Sequence, residues 1–166
     1  YDEHLEELDD VLRAVDRGLV APPERCRVWS LQGREQTLTR GQELLGEADE
    51  DILAYATAEL LETGCLDHFG AAVDRGVDVT VFAADDCRDW FTESLAGATV
   101  TEPPDWLVDE SLVRVFVLDR DACQAATRWQ ATPTTRPEIR SVLATGEANG
   151  FVLAIRAALR AAATDD

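Results

Sequence analysis

The sequence predicts an α/β domain built on a mixed sheet flanked by helices, with a coiled-coil-like helix in front of it. Three observations carry this reading. From residue 27 onward, short apolar runs alternate with amphipathic stretches, which argues for a sheet with parallel neighbours. Two further apolar runs, 113–118 and 123–129, flank Asp119-Arg120-Asp121-Ala122, and this is an antiparallel hairpin pattern. Ahead of both, Leu5, Leu8, Leu12, Val15 and Leu19 recur at spacings of 3, 4, 3 and 4, the seam of a coiled coil.

In chain order, residues 2–20 read as a helix with that narrow apolar seam. It serves either as a dimer or linker coil, or as an amphipathic helix packed on its own domain; so short a coil is marginal in isolation. Gly18 and Ala21-Pro22-Pro23 end it, dividing the chain into a linker helix, 1–21, and an α/β domain, 27–166. Residues 28–31 form a strand, Gly33 breaks it, and 34–46 form a helix. A buried strand is expected at 52–56. Residues 59–75 read as one helix, offering Leu60, Leu61, Leu66, Phe69, Ala72 and Val73 to the core, and Gly76 caps it. A strand follows at 77–82, a helix anchored by Trp90 and Phe91 at 87–95, and a strand at 98–101. Residues 102–110 are a loop before the hairpin. The Thr-, Pro- and Arg-rich stretch 130–146 is expected to loop over the surface. A last helix, 147–163, has Val152, Leu153, Ile155 and Leu159 for a core or an interface.

Charge is the strongest bulk signal. The chain has 33 acidic residues against 15 basic ones, all arginine, for a net charge of -18. Such a charge repels itself and opposes compaction. Salt at 1 M cuts the screening length to about 3 Å and removes most of that penalty. The expectation is a cytoplasmic protein of a salt-in halophile, an archaeon. The acids are spread among regular apolar segments, which excludes an acidic tail or a disordered chain. A surface of this sign repels phosphate, so direct DNA binding by this chain is not expected.

At 166 residues with 46% apolar content, one domain plus an appendage is expected. No run approaches the roughly 18 apolar residues of a membrane span, and no signal-peptide pattern is present. The chain begins with Tyr1 and has no methionine, so it is expected to be a piece of a longer protein with a neighbour ahead of it. Cys26, Cys65, Cys87 and Cys123 form no C-x-x-C pair, and His4 and His68 have no partner at ligand spacing. Reduced cysteines, surface histidines, and neither metal nor cofactor follow. One enzymatic alternative is Asp85-Asp86, since paired acids after a strand can hold Mg²⁺ in hydrolase or phosphoacceptor folds. In so acidic a chain such a pair arises easily by chance.

Several segments carry a family resemblance by their order and spacing. They are Val28-Trp29-Ser30-Leu31-Gln32-Gly33-Arg34-Glu35, Glu47-Ala48-Asp49-Glu50-Asp51-Ile52, Ala72-Val73-Asp74-Arg75-Gly76-Val77-Asp78-Val79, Val117-Leu118-Asp119-Arg120-Asp121 and Asn149-Gly150-Phe151-Val152. Over residues 1–163 the chain resembles the C-terminal effector domain of haloarchaeal TrmB-family transcriptional regulators. The resemblance implies a phospholipase-D-like fold, a preceding coiled-coil linker at the seam of residues 5–19, and a winged-helix DNA-binding domain ahead of Tyr1. It implies a homodimer that reaches DNA only through that winged helix, and a small-molecule effector, with sugars the known class.

Phospholipase-D enzymes carry H-x-K-x4-D on a hairpin. With Asp119 as the Asp, the Lys position is Arg114 and the His position is Leu112, which has neither nucleophile nor proton to give. The resemblance therefore implies a fold without its catalysis. A sugar site needs planar polar groups and an aromatic face. Trp29, Arg34, Glu35, Asp119, Arg120 and Asn149 are the candidates by residue type. Five of the six also have a structural alternative: core for Trp29, helix start for Arg34 and Glu35, turn former for Asp119, helix entry for Asn149. A ligand-free structural dimerisation module is the competing reading.

Overall fold

The computed structural model describes residues 26–164. Among them, seven strands form one sheet: β1 (Arg27–Gln32), β2 (Asp51–Ala56), β3 (Asp78–Ala83), β4 (Thr99–Thr101), β5 (Leu112–Leu118), β6 (Ala122–Trp129) and β7 (Glu138–Thr145). Their order across the sheet is β1-β7-β6-β5-β2-β3-β4. The parallel neighbours expected from the alternating pattern occur only in β2-β3-β4. Strand β5 lies antiparallel beside β2, and β5, β6, β7 and β1 continue antiparallel. The sheet is therefore mixed, and β2 is where parallel pairing gives way to antiparallel.

All six residues of β2 are buried, as a strand covered on both faces requires. Helices α1 (Arg34–Glu47), α2 (Cys65–Asp74) and α3 (Arg88–Ser94) cover one face. There Leu45, Phe69 and Phe91 pack on Ile52, Ala54, Val79, Val81 and Phe116. Phe69 meets Phe116 and Phe91 edge-on, at 5.6 and 6.5 Å between ring centres. Such pairs add about 0.5–1.5 kcal/mol each beyond burial. Helix α4 (Gly150–Thr164) covers the other face, with Val152 and Leu159 on Leu53, Tyr55, Val115 and Val117. The strict alternation of Leu53/Tyr55 with Ile52/Ala54 assigns each side chain its layer.

Three expectations need correction. Residues 59–75 are not one helix: a 3₁₀ turn, Ala58–Glu62, precedes α2. The Thr63 hydroxyl donates to the Leu60 carbonyl at 2.7 Å and accepts the Cys65 N–H at 3.3 Å. Such local bonding by Thr, followed by Gly64, breaks the helix. Residues 130–146 are not all loop, because β7 lies between β1 and β6. Ile139, Ser141 and Leu143 are buried at period two, but the polar Ser141 inside and the apolar, exposed Val142 outside break the alternation in the sequence. The last helix begins at Gly150, since Ala148 adopts a left-handed φ of 57°. The seam residues Leu5, Leu8, Leu12, Val15 and Leu19, with His4, lie outside the described residues.

Candidate functional site

The register separates the candidate residues onto two ends of the sheet. The start of β2 and the end of β5 meet at Ile52↔Leu118; the opposite ends meet at Ala56↔Arg114.

At the first end, Asp119 sits at a left-handed φ of 54° in the β5–β6 turn. Its carboxylate accepts the backbone N–H groups of Asp49, Glu50 and Asp51, at 3.1, 2.8 and 3.1 Å. Three charge-assisted bonds hold the α1–β2 connection to the hairpin. Asp51, 5% exposed, receives both terminal nitrogens of Arg156 at 2.8 and 2.7 Å, and Arg160 also reaches it. Arg156 donates to the Asp119 carbonyl as well, which clamps α4 to the sheet. The hydrogen bond to Asp51 raises the Arg156 pKa further above its ordinary value. Asn149, 1% exposed, donates to the carbonyls of Arg27 and Thr145 and accepts the Phe151 N–H, so it caps α4. A cavity of about 590 Å³ opens here, lined by Asp49, Glu50, Asp119, Arg120, Asp121 and Glu147 among others. Burial first, and then the charge of Asp119, push the Asp121 pKa upward.

At the second end, the motif position Leu112 lines a cleft of about 590 Å³. The cleft lies at the carboxyl ends of β2 and β3, beside the place where parallel pairing gives way to antiparallel, and open α/β sheets bind ligands outside the carboxyl ends of their strands. Arg34, Tyr55, Thr57, Glu59, Glu62, Asp86, Asp109 and Arg128 contribute to its walls. Thr57 donates its hydroxyl to the Val113 carbonyl at 2.8 Å. Burial, ahead of the nearby Asp86, raises the Tyr55 pKa and keeps that phenol protonated. Arg114 is only 1% exposed and donates to Glu59 Oε2 at 3.1 Å. Its Nε and Nη2 are buried without a partner among the described residues. Arg34 approaches Glu59 and Glu62 at 3.7 and 3.5 Å. A chain of charges, Arg34–Glu59–Arg114, therefore runs from the cleft mouth into the interior.

Of the six candidates, the structure brings Arg34 into this cleft, Arg120 into the cavity at the first end, and Asp119 and Asn149 into backbone capping. Trp29 packs partly buried against the helix-covered core, and Glu35 is exposed in the first turn of α1. The acidic pair divides. Asp85 is exposed and bonds Arg88 at 2.6 Å, while Asp86 lines the cleft. Among the described residues no group of three His, Cys, Asp or Glu is placed to hold a metal. Glu59, Glu62 and Arg128 escaped the sequence reading. Glu59 opens the helix expected over 59–75, and nothing local marks its pairing with a residue 55 positions away.

Fold comparison places the domain among phospholipase-D-like α/β proteins. It matches NucT from Helicobacter pylori at TM-score 0.60 and 7% identity, over 81% of this chain and 94% of that one. It matches a phospholipase D family member, Nuc from Salmonella typhimurium, at TM-score 0.52 and 14% identity, over 81% and 93%. TrmBL2, an archaeal chromatin protein whose structure shows a novel mode of DNA binding, matches at TM-score 0.63 and 17% identity. That match covers 97% of this chain, which spans 64% of the TrmBL2 chain, under two thirds of its length. The family model for the transcriptional regulator TrmB, EBD N-terminal subdomain, matches residues 27–117. The chain belongs to the TrmB family of transcriptional regulators. No curated protein sequence matches it significantly.

Proposed function

We propose that this chain is a non-catalytic effector-sensing and dimerisation domain of a TrmB-type regulator, working in the cytoplasm. One observation carries the reading. The cleft at the carboxyl ends of β2 and β3 is lined by Leu112, which has neither nucleophile nor proton to give, and beside it Glu59 sequesters Arg114. What lines the open part, Arg34, Thr57, Glu62, Asp86, Asp109 and Arg128, is a set of hydrogen-bonding groups suited to a polyol such as a sugar. No described helix is long and apolar enough to cross a membrane. DNA is reached through a winged-helix domain ahead of Tyr1, and the seam Leu5, Leu8, Leu12, Val15 and Leu19 pairs two protomers. The division at residues 1–21 and 27–166 belongs to the same proposal.

In this mechanism the effector binds two arrangements of the dimer unequally and so shifts their balance. The test is a panel of sugars added to the chain in concentrated KCl while its melting temperature and mass are followed. A dimer mass is expected, shifting to monomer in Leu8→Asp with Leu12→Asp. A ligand at about 100 times its Kd stabilises by about 2.7 kcal/mol, and Asp86→Ala should remove that gain. Phosphodiester substrates should not turn over. A monomer that responds to no small molecule, or turnover lost on mutating a cleft residue, would overturn the reading.

A further inference from the structure

Beside the cleft at the carboxyl ends of β2 and β3 lies a second one of about 800 Å³, and Arg34 and Arg128 line both. The second arm is lined by Gln32, Gly33, Arg34, Arg128, Arg136, Pro137, Glu138 and Ile139. Three arginines against one carboxylate gather here, in a chain whose net charge is -18. Elsewhere the arginines are largely spent on carboxylates, as at Arg40, Arg88, Arg156 and Arg160, and within the arm Arg34 is shared with Glu59 and Glu62 at 3.7 and 3.5 Å. Among the described residues, Arg128 and Arg136 form no ion pair. Glu138 lies 3.6 Å from Arg140, so the one acid of the arm is shared with a fourth arginine.

The backbone under these arginines is braced. Arg128 donates its N–H to the Ser111 carbonyl at 2.7 Å. Gln130 ties the Pro133 and Thr135 carbonyls just ahead of Arg136. The Arg140 guanidinium stacks on Trp129 at 3.8 Å and pins the ends of β6 and β7 together. The α1 helix, 14 residues long, begins at the same place, and Gly33 supplies no side-chain cap for its first amides. Those amides add positive potential to that of the arginines.

From this we infer that the arginine arm binds an oxyanion, and that the effector is a phosphorylated small molecule. Its phosphoryl group lies among Arg34, Arg128 and Arg136, and its hydroxylated part lies in the adjoining cleft. Arg suits this task because its planar fork donates two parallel bonds to phosphate oxygens. A nucleic-acid backbone is the weaker fit, since the acids covering the rest of the surface repel a polyanion while one phosphate fits the local patch. The inference rests on the effector-sensing reading and adds the ligand's chemical class.

Calorimetric titrations of the 166-residue chain with inorganic phosphate, a hexose phosphate, the unphosphorylated hexose and a short DNA duplex, at low and high salt, test it. The hexose phosphate should bind at least about tenfold tighter than the hexose, and phosphate should compete with it. Arg128→Ala with Arg136→Ala should weaken it by about tenfold or more, while Arg40→Ala on the exposed side of α1 should not. A melting curve for each variant shows that it is folded. Hexose binding indifferent to phosphorylation would overturn the oxyanion site and leave the effector reading standing. Phosphate binding unchanged in the double variant, no binding of either phosphate, or preference for the duplex would overturn it as well. Phosphate binding at these arginines, with the hexose phosphate no tighter than phosphate itself, would keep the oxyanion site and count against a sugar-like effector.

Discussion

The Arg114–Glu59 pair is sealed inside the fold, with side-chain exposure of only 1% and 6%. A buried ion pair contributes little net stability, but breaking it is costly because the survivor keeps its charge in a poor solvent. Glu59→Ala should cost about 3–5 kcal/mol by urea unfolding, whereas Glu59→Leu with Arg114→Met should match or exceed the wild type. A single-variant loss below about 1 kcal/mol is the signature of a solvated surface pair and would contradict the sealed geometry. At the other end of the sheet, Asp121 is held with a raised pKa by burial and by Asp119. For a carboxyl raised in the folded state, the favourable contribution is present below its unfolded pKa and is lost as pH rises through the folded one. Asp121→Asn should therefore raise the melting temperature at neutral pH, and the gain should vanish below the carboxylate range. An equal gain at every pH would point to packing instead of charge.

At the scale of elements, α1 is held unusually close to the sheet by polar contacts. The Gln124 side chain donates to the Thr37 carbonyl at 2.9 Å, and Ser141 Oγ lies 3.3 Å from Thr37 Oγ1. Gly41 makes room for this: a Cβ there would meet Gln124 Oε1 at 2.7 Å and Phe116 Cε2 at 3.2 Å. The Gln124 amide cannot swing away freely, because its nitrogen is committed to Thr37. Gly41→Ala should then destabilise by about 1–3 kcal/mol through overpacking, despite alanine's better helix propensity. Adding Gln124→Ala should not make this worse by its full separate cost, since the two changes share one contact. A stabilised Gly41→Ala protein would show that α1 moves outward at little cost. Since Arg34 rides on the first turn of α1, this close approach also sets the mouth of the cleft.

At the scale of the molecule, charge dominates. A net charge of -18 on 166 residues makes the compact state self-repelling in dilute buffer, and screening relieves it. The melting temperature should rise steeply from dilute buffer to molar KCl. Because buried pairs are screened much less than exposed ones, the Asp51–Arg156 and Arg114–Glu59 links should survive that change. A flat or falling melting temperature across the range would sink the argument that this surface is adapted to salt. The arginine arm is the local exception to the global field, so ligand binding there should weaken with salt even as the fold strengthens.

What the sequence by itself determined was local or periodic. The alternation of 52–56 with 77–82 and the hairpin about Asp119-Arg120 follow from side-chain period and turn chemistry, which need no distant partner. That position 112 holds a leucine, with no nucleophile to offer, is likewise legible from the residue alone. Tertiary structure decided the rest. Strand β7 is hidden in the sequence by the polar Ser141 and apolar Val142, which invert the expected alternation, and only pairing with both β6 and β1 makes it interior. By residue type Asp119 and Asn149 can touch a ligand or serve the backbone; the Glu50 amide brought to Asp119 and the Arg27 carbonyl brought to Asn149 across the fold commit both to the backbone. The cleft gathers Arg34, Glu59, Asp86 and Arg128 from four separate segments of the chain. No sequence period links them, and only the reversal of strand direction beside β2 leaves the space they share.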